Sequence, residues 1–316
     1  MALAIDLIGD SFQKTRKRIF PFTKEWFKLG FVSMLSSYGG FGGNFSNLSN
    51  LGDIPNIMDF IRNNLTLILT GAGLITIFSF LWRIITFTFT FIFIDSIVTN
   101  KTRVRQGFRK HISKGISVFL FITVIGIINL LLLGLLSLPL LIPLLNNFNN
   151  FNIDYFNIPY LIFFIVFFVF DIIIIGLLNW FILNLVVYDM YRRPGYVLKS
   201  FKRAFYLLRK DFVEVLLLFL MKIALGLAAA MLILLVMLVL FIPFAIIGFI
   251  LLMMFVLLGI ASGGPNAILI ALGVLVALIF GVIFMYLFNV AVLPVNVFFV
   301  NYTYSFVTAL SKKHKL

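Results

Sequence analysis

Between Phe212 and Ile260 the chain runs for nearly 50 residues of almost unbroken apolar sequence, interrupted by Lys222 and Pro243. As a helix that run would reach about 75 Å, whereas about 20 apolar residues are enough to cross a bilayer. Similar runs occupy Leu65 to Leu81, Ile116 to Leu136, Pro159 to Trp180 and the region after Asn266. With 62% apolar residues, 11% charged residues and 40 Phe, the sequence has far more apolar surface than a soluble fold needs. Hydrocarbon offers the backbone no partner, so each crossing must satisfy its own hydrogen bonds. The expected fold is therefore an all-α, polytopic transmembrane helical bundle. The alternation Thr86-Phe87-Thr88-Phe89-Thr90-Phe91 has the period of a strand. An open strand there would leave its backbone unpaired, so helix is expected.

Charge orients the bundle. The net charge is +14, and all but Arg62, Arg83 and Lys222 of the 25 Lys and Arg fall in four places: Lys14 to Lys28, Lys101 to Lys114, Arg192 to Lys210, and Lys312 to Lys315. The connections Ser36 to Asp59, Asn146 to Pro159 and Ala261 to Asn266 contain no Lys or Arg. This positive-inside pattern predicts cytoplasmic termini in the cell membrane. It also predicts attraction to anionic lipid headgroups. Nucleic acid is not an expected partner, because no soluble domain exists to read it. The N-terminus lacks a basic region before an apolar core and is not expected to be a cleaved signal.

A short basic segment occurs three times, as Ser11-Phe12-Gln13-Lys14, Gly107-Phe108-Arg109-Lys110 and Ser200-Phe201-Lys202-Arg203. In the third copy Phe201, Phe205, Leu208 and Phe212 share one helical face, with Lys202, Arg203, Arg209 and Lys210 largely off it. The second copy repeats this with Phe108, Ile112, Ile116 and Phe119; in the first, Arg16 intrudes on the apolar side. Such helices suit a membrane surface. Asp95 and Asp189 precede their basic segments by similar distances. We expect a single integral membrane domain over residues 1–316, built from internal repeats at about 1–104, 105–197 and 198–316. Each repeat would be a basic amphipathic surface helix followed by a hairpin, six spans in all. The first span, Trp26 to about Phe41, is shortened by Lys28. In the third repeat a bend or re-entrant segment is expected after Pro243, matching Pro139 and Pro143 in the second. Two crossings in this stretch, for seven spans, would leave the basic C-terminus outside.

Few residues invite chemistry. Asp171 lies 12 residues after Pro159, about 18 Å along a helix and near the bilayer midplane. A carboxylate there is costly unless protonated or paired. It reads either as a packing group, neutral or joined to Lys222 or Arg83, or as a proton, ion or substrate site with Asn129, Asn179 and Lys222 as candidate neighbours. Lys222 itself suits snorkelling. Arg109, Lys110, Lys202 and Arg203 are the candidate headgroup contacts. His111 and His314 lie in basic segments and look like neither ligands nor bases. There is no cysteine, no metal motif, no nucleophile elbow and no phosphate-binding loop. The sequons at Asn44 and Asn47 matter only if that side is glycosylated. No cofactor and no enzymatic activity are expected.

The order of basic amphipathic helix, span, proline-bearing interruption and return span, as in Ser200-Phe201-Lys202-Arg203 leading to Pro243, resembles uncharacterised prokaryotic multi-pass families, archaeal ones among them. It also resembles the membrane domain attached to some glycerophosphodiester phosphodiesterases. The catalytic barrel of those enzymes has no counterpart here, so the resemblance implies architecture and no activity. The leading functional expectation is a membrane scaffold or accessory protein that engages lipids, membrane-protein partners or further copies of itself. A small-solute transporter and an intramembrane lipid-modifying enzyme are the alternatives.

Overall fold

The computed structural model describes residues 3–20, 23–36, 64–146, 158–193, 195–261 and 267–314. Every regular element in them is helical. The order is α1 (Leu3–Ile19), α2 (Lys24–Leu35), α3 (Leu65–Val98), α4 (Val104–Asn146) and α5 (Ile158–Phe181). A π-helical turn (Ile182–Val186) continues α5 into α6 (Val187–Arg192), and α7 (Val197–Lys210), α8 (Phe212–Ala261) and α9 (Ala267–Lys313) complete the chain. Five stretches are long and apolar enough to cross a membrane: α3, α4, α5 with its continuation to Arg192, α8 and α9. The alternating Thr-Phe segment is helical, inside α3.

Six crossings are thus met by five helices of sufficient length among the described residues. The expected first crossing falls partly on α2, whose 12 residues reach only about 18 Å. Its remainder, both sequons, Pro21 and the connections at 37–63, 147–157 and 262–266 lie outside the described residues.

Proline does not interrupt the helices. Helix α8 passes through Pro243 as a single 50-residue helix, so neither a re-entrant segment nor a second crossing starts there. Helix α4 carries the basic segment Gly107 to Lys114 and the following apolar run in one 43-residue helix, through Pro139. The second basic segment is therefore the first turns of a long helix, not a separate surface helix. In an apolar setting a proline that costs one backbone bond is tolerated, whereas unwinding would expose several.

The described residues form two compact units, one of Met1–Gly115 with Leu207–Leu316 and one of Ile116–Tyr206. In the first, α1, α2, α3 and α8 pack on α9. The contact of α2 with α9 is shaped by Pro294. Lacking an N–H, Pro294 leaves the carbonyl of Val290 without its helical donor. The Trp26 indole N–H donates to that carbonyl at 3.2 Å. Gly30 permits the approach, because a Cβ there would lie 2.4 Å from Val290 Cγ2. Nearby, Asn296 donates to Ser33 Oγ at 3.0 Å, Asn301 donates to Thr15 Oγ1 at 3.2 Å and the Tyr302 hydroxyl donates to the Ala4 carbonyl at 2.8 Å. Phe91, Ile92, Phe93 and Ile94 of α3 and Val297, Val300, Tyr302 and Phe306 of α9 are fully buried.

In the second unit the Phe201 ring packs on Phe121 and Phe181 at centroid distances of 5.4 and 5.5 Å. The Tyr160 hydroxyl donates to the Leu136 carbonyl at 2.7 Å. Within the π-helical turn the Asn184 amide donates to the Trp180 carbonyl at 2.8 Å, satisfying an acceptor that the widened turn displaces. In both units much of the apolar surface faces outward; Leu74, Phe78, Phe170 and Met231 are each 60% exposed or more. Lipid, not water, suits that surface.

Candidate functional site

The basic segments divide their side chains three ways. A face of small residues packs inward: Ser11 and Thr15 on α1, Gly107, His111 and Gly115 on α4, and Ser200 and Ala204 on α7 are all buried. The aromatic residue after the first small one turns outward on α1, where Phe12 is 63% exposed, and is half-buried at Phe108 and Phe201. The packing face is thus one position before the Phe face read from the sequence. A Cβ at Gly115 would stand 2.3 Å from Thr88 Oγ1 and 2.8 Å from the Thr88 backbone nitrogen, so small residues let α4 lie directly on α3. His111 belongs to this interface. It is 1% exposed, stacks on Phe91 at 6.0 Å and places Nε2 3.8 Å from Asp95 Oδ1. Periodicity from the two flanking glycines was the signal for its burial.

The four candidate headgroup cations separate into two pairs. Lys110 Nζ lies 3.2 Å from Asp95 Oδ1. Arg203 Nε donates to Asp189 Oδ2 at 2.8 Å, and the Asp189 side chain is only 2% exposed. Arg203 is therefore a tie between α7 and α6. Arg109 and Lys202 are exposed and, among the described residues, have no carboxylate partner. On α1, Lys14 pairs with Asp10 at 2.6 Å and donates to Ser305 Oγ at 3.0 Å.

Two members of the candidate polar site inside the apolar region meet within one unit. Asn129 Nδ2 of α4 donates to Asp171 Oδ2 of α5 at 3.0 Å, with both side chains half-buried. Within its unit Asp171 thus has an amide as a partner. Asn179 lies two turns further along α5, also half-buried. Lys222 of α8 sits 5.8 Å above the Phe299 ring of α9, a cation on the face of an aromatic ring. No group of three or more His, Cys, Asp or Glu that could hold a metal occurs among the described residues. A hydrogen bond of this kind between helices in an apolar setting contributes about 1 kcal/mol.

The whole sequence, from the first basic segment to the last, aligns with one family. The chain belongs to DUF7544, a family of unknown function. The match covers residues 2–316. No curated protein and no solved structure matches the chain. Membership brings no activity with it, and no link to the membrane domain of glycerophosphodiester phosphodiesterases.

The C-terminal basic cluster of this family member is also anchored. Asp211, between α7 and α8, accepts a 2.7 Å hydrogen bond from Lys313 and pairs with His314. Burial favours the neutral acid, but the hydrogen bonds and charges of Lys313 and His314 outweigh it and hold the carboxyl below its ordinary value of 3.8. Glu25 is likewise held low, chiefly by the hydrogen bond from Lys28 against a smaller effect of burial, with Thr102 adding to it. A folded-state pKa below the unfolded one gives stability that is present above the ordinary pKa and lost as pH falls through the folded value. The end of α9 is therefore expected to stay docked from neutral pH to about pH 4 and to release below it. An environment-sensitive fluorophore on Lys312→Cys reads this directly; release near pH 6 would show that Asp211 does not hold the contact.

Proposed function

We propose that this protein is a membrane-embedded scaffold or accessory protein, with both termini in the cytoplasm, whose basic face engages anionic lipid headgroups and, through them or beside them, membrane-protein partners. The reading is one of binding, not catalysis. The observation that carries it is the division of cations: Lys110 and Arg203 are tied to Asp95 and Asp189, while the adjacent Arg109 and Lys202 are exposed without a carboxylate among the described residues. A fold that needed these charges only for its own ion pairs has no use for the second set. Lys202 shares α7 with the exposed apolar residues Leu198 and Phe205, which suits a helix lying at a lipid interface.

The same reading takes the chain as three related units, at about 1–104, 105–197 and 198–316. Its support is the recurrence of buried small residues at the first position of each basic segment, and the pairing of its fourth residue with the acid 15 or 14 residues earlier in the second and third.

Two measurements test it. In a protein without native cysteine, Lys312→Cys should react with an impermeant thiol reagent only after permeabilisation, and Asn150→Cys from outside. Reaction of Lys312→Cys from outside overturns the orientation. For lipid engagement, Arg109→Glu with Lys202→Glu should reduce the stabilisation given by phosphatidylglycerol over phosphatidylcholine nanodiscs, by about 1 kcal/mol per cation. Equal stabilisation of parent and variant sinks the headgroup reading.

A further inference from the structure

Arg16 is the residue that spoils the apolar face of the first basic segment. The other two segments carry Ile112 and Phe205 at the corresponding position. In the structure this side chain has a destination. With Phe12 and Phe20, one turn to either side, it lines a cavity of about 940 Å³ bounded by α1, α2, α8 and α9. That volume is at the upper end of the roughly 300–1,000 Å³ of small-molecule sites. Lys24, at the start of α2, lines the same cavity, and the remaining walls are almost wholly apolar.

We propose that this cavity binds a single anionic membrane lipid, with the headgroup phosphate on Arg16 and Lys24 and the chains against Phe20, Phe27, Leu287 and Pro294. The inference rests on the reading of the protein as one that engages anionic lipids, and adds to it a discrete site.

Three observations select this occupant. Arg16 and Lys24 are exposed and have no carboxylate partner among the described residues, so the cavity presents two positive charges with nothing to balance them. Of the other polar groups in the lining, Thr15 donates to the Ser11 carbonyl at 2.7 Å and accepts from Asn301, and the Trp26 indole donates to Val290, while Thr23, which makes no side-chain cap hydrogen bond, adds a hydroxyl next to Lys24 for the same phosphate. An occupant with further polar groups would leave them unpaired, whereas a phosphate on two apolar chains would not. Finally, Phe12, Phe20 and Phe27 are 63%, 56% and 55% exposed, so the mouth is rimmed by aromatic surface of the kind that borders the headgroup region.

The test is native mass spectrometry of the full chain in detergent, delipidated and titrated with dioleoylphosphatidylglycerol. One saturable equivalent is expected. Binding should weaken roughly tenfold or more in Arg16→Gln/Lys24→Gln, which removes both charge-assisted contacts at exposed positions. It should also weaken in Ala291→Phe, which fills the cavity and keeps the cations. Unchanged binding in both variants overturns the site. If Arg109→Gln/Lys202→Gln then weakens binding, the broader lipid reading stands without this cavity; if it does not, both fall. Phosphatidylcholine binding as tightly as phosphatidylglycerol overturns the role of the two charges. Competition by glycerol 3-phosphate at the same concentrations as the lipid overturns the lipid assignment in favour of a soluble phosphate.

Discussion

Replacing Asp189 with alanine will destabilise the protein by about 3–5 kcal/mol, measured by unfolding in mixed detergent and SDS micelles. The Asp189 carboxylate is 2% exposed, with Arg203 Nε at 2.8 Å and Arg193 Nε at 4.0 Å. Removing it leaves the partly buried Arg203 guanidinium beside a void without its counter-charge, and desolvating that uncompensated charge accounts for most of the cost. Asp95 provides the comparison. Its carboxylate is 19% exposed, and the partner Lys110 is 62% exposed, so water screens the pair. Asp95→Ala should therefore cost about 1 kcal/mol or less from this pair. Equal effects at the two positions would show that burial does not set the strength of these ties.

Gly115→Val is expected to cost more than about 3 kcal/mol, because no side-chain adjustment relieves it. A Cβ at this position would meet the Thr88 nitrogen at 2.8 Å and Cα at 2.9 Å, so α3 and α4 must move apart. Separation would also loosen the Phe91 to His111 stack one turn away. Gly9 on α1 is the control, since nothing lies within 4 Å of its would-be Cβ. Gly9→Ala should be neutral or stabilising by up to about 1 kcal/mol through helix propensity. A Gly115→Val protein with unchanged unfolding would mean that the two helices are not in direct contact.

Much of the architecture was legible from the apolar runs. Leu65 to Val98 reads as one helix despite its strand-like Thr-Phe alternation, because unpaired strand edges have no partner in hydrocarbon. The basic segments were legible for a similar reason, since cations cannot be spread through apolar runs. Less legible were the ends and breaks. Proline at 139 and 243 suggested interruptions, yet both helices continue through them. A single lost backbone bond is a smaller penalty than unwinding in a medium that offers no replacement.

The candidate site divided along the same line. Sequence marked Asp171 as a buried acid needing a partner, and the partner is Asn129, 42 residues away on the neighbouring helix. Nothing in local spacing distinguishes that amide from Asn179 or from a cation. Arg109 and Arg203 looked equivalent as headgroup contacts, but one is exposed and the other is tied to Asp189. His111 was marked only as a residue of a basic segment, and it is in the core.

By itself, then, the sequence determined the class of fold, the helical state of the long apolar runs and the clustering of positive charge, because these follow from what hydrocarbon will solvate. Tertiary structure alone decided which cations are tied, which helix face packs, and that Trp26 completes the hydrogen bonding of the Val290 carbonyl, 264 residues away, that Pro294 leaves open. Those outcomes depend on contacts between segments remote in the chain, where close approach at Gly30 and Gly115, not local propensity, selects the partner.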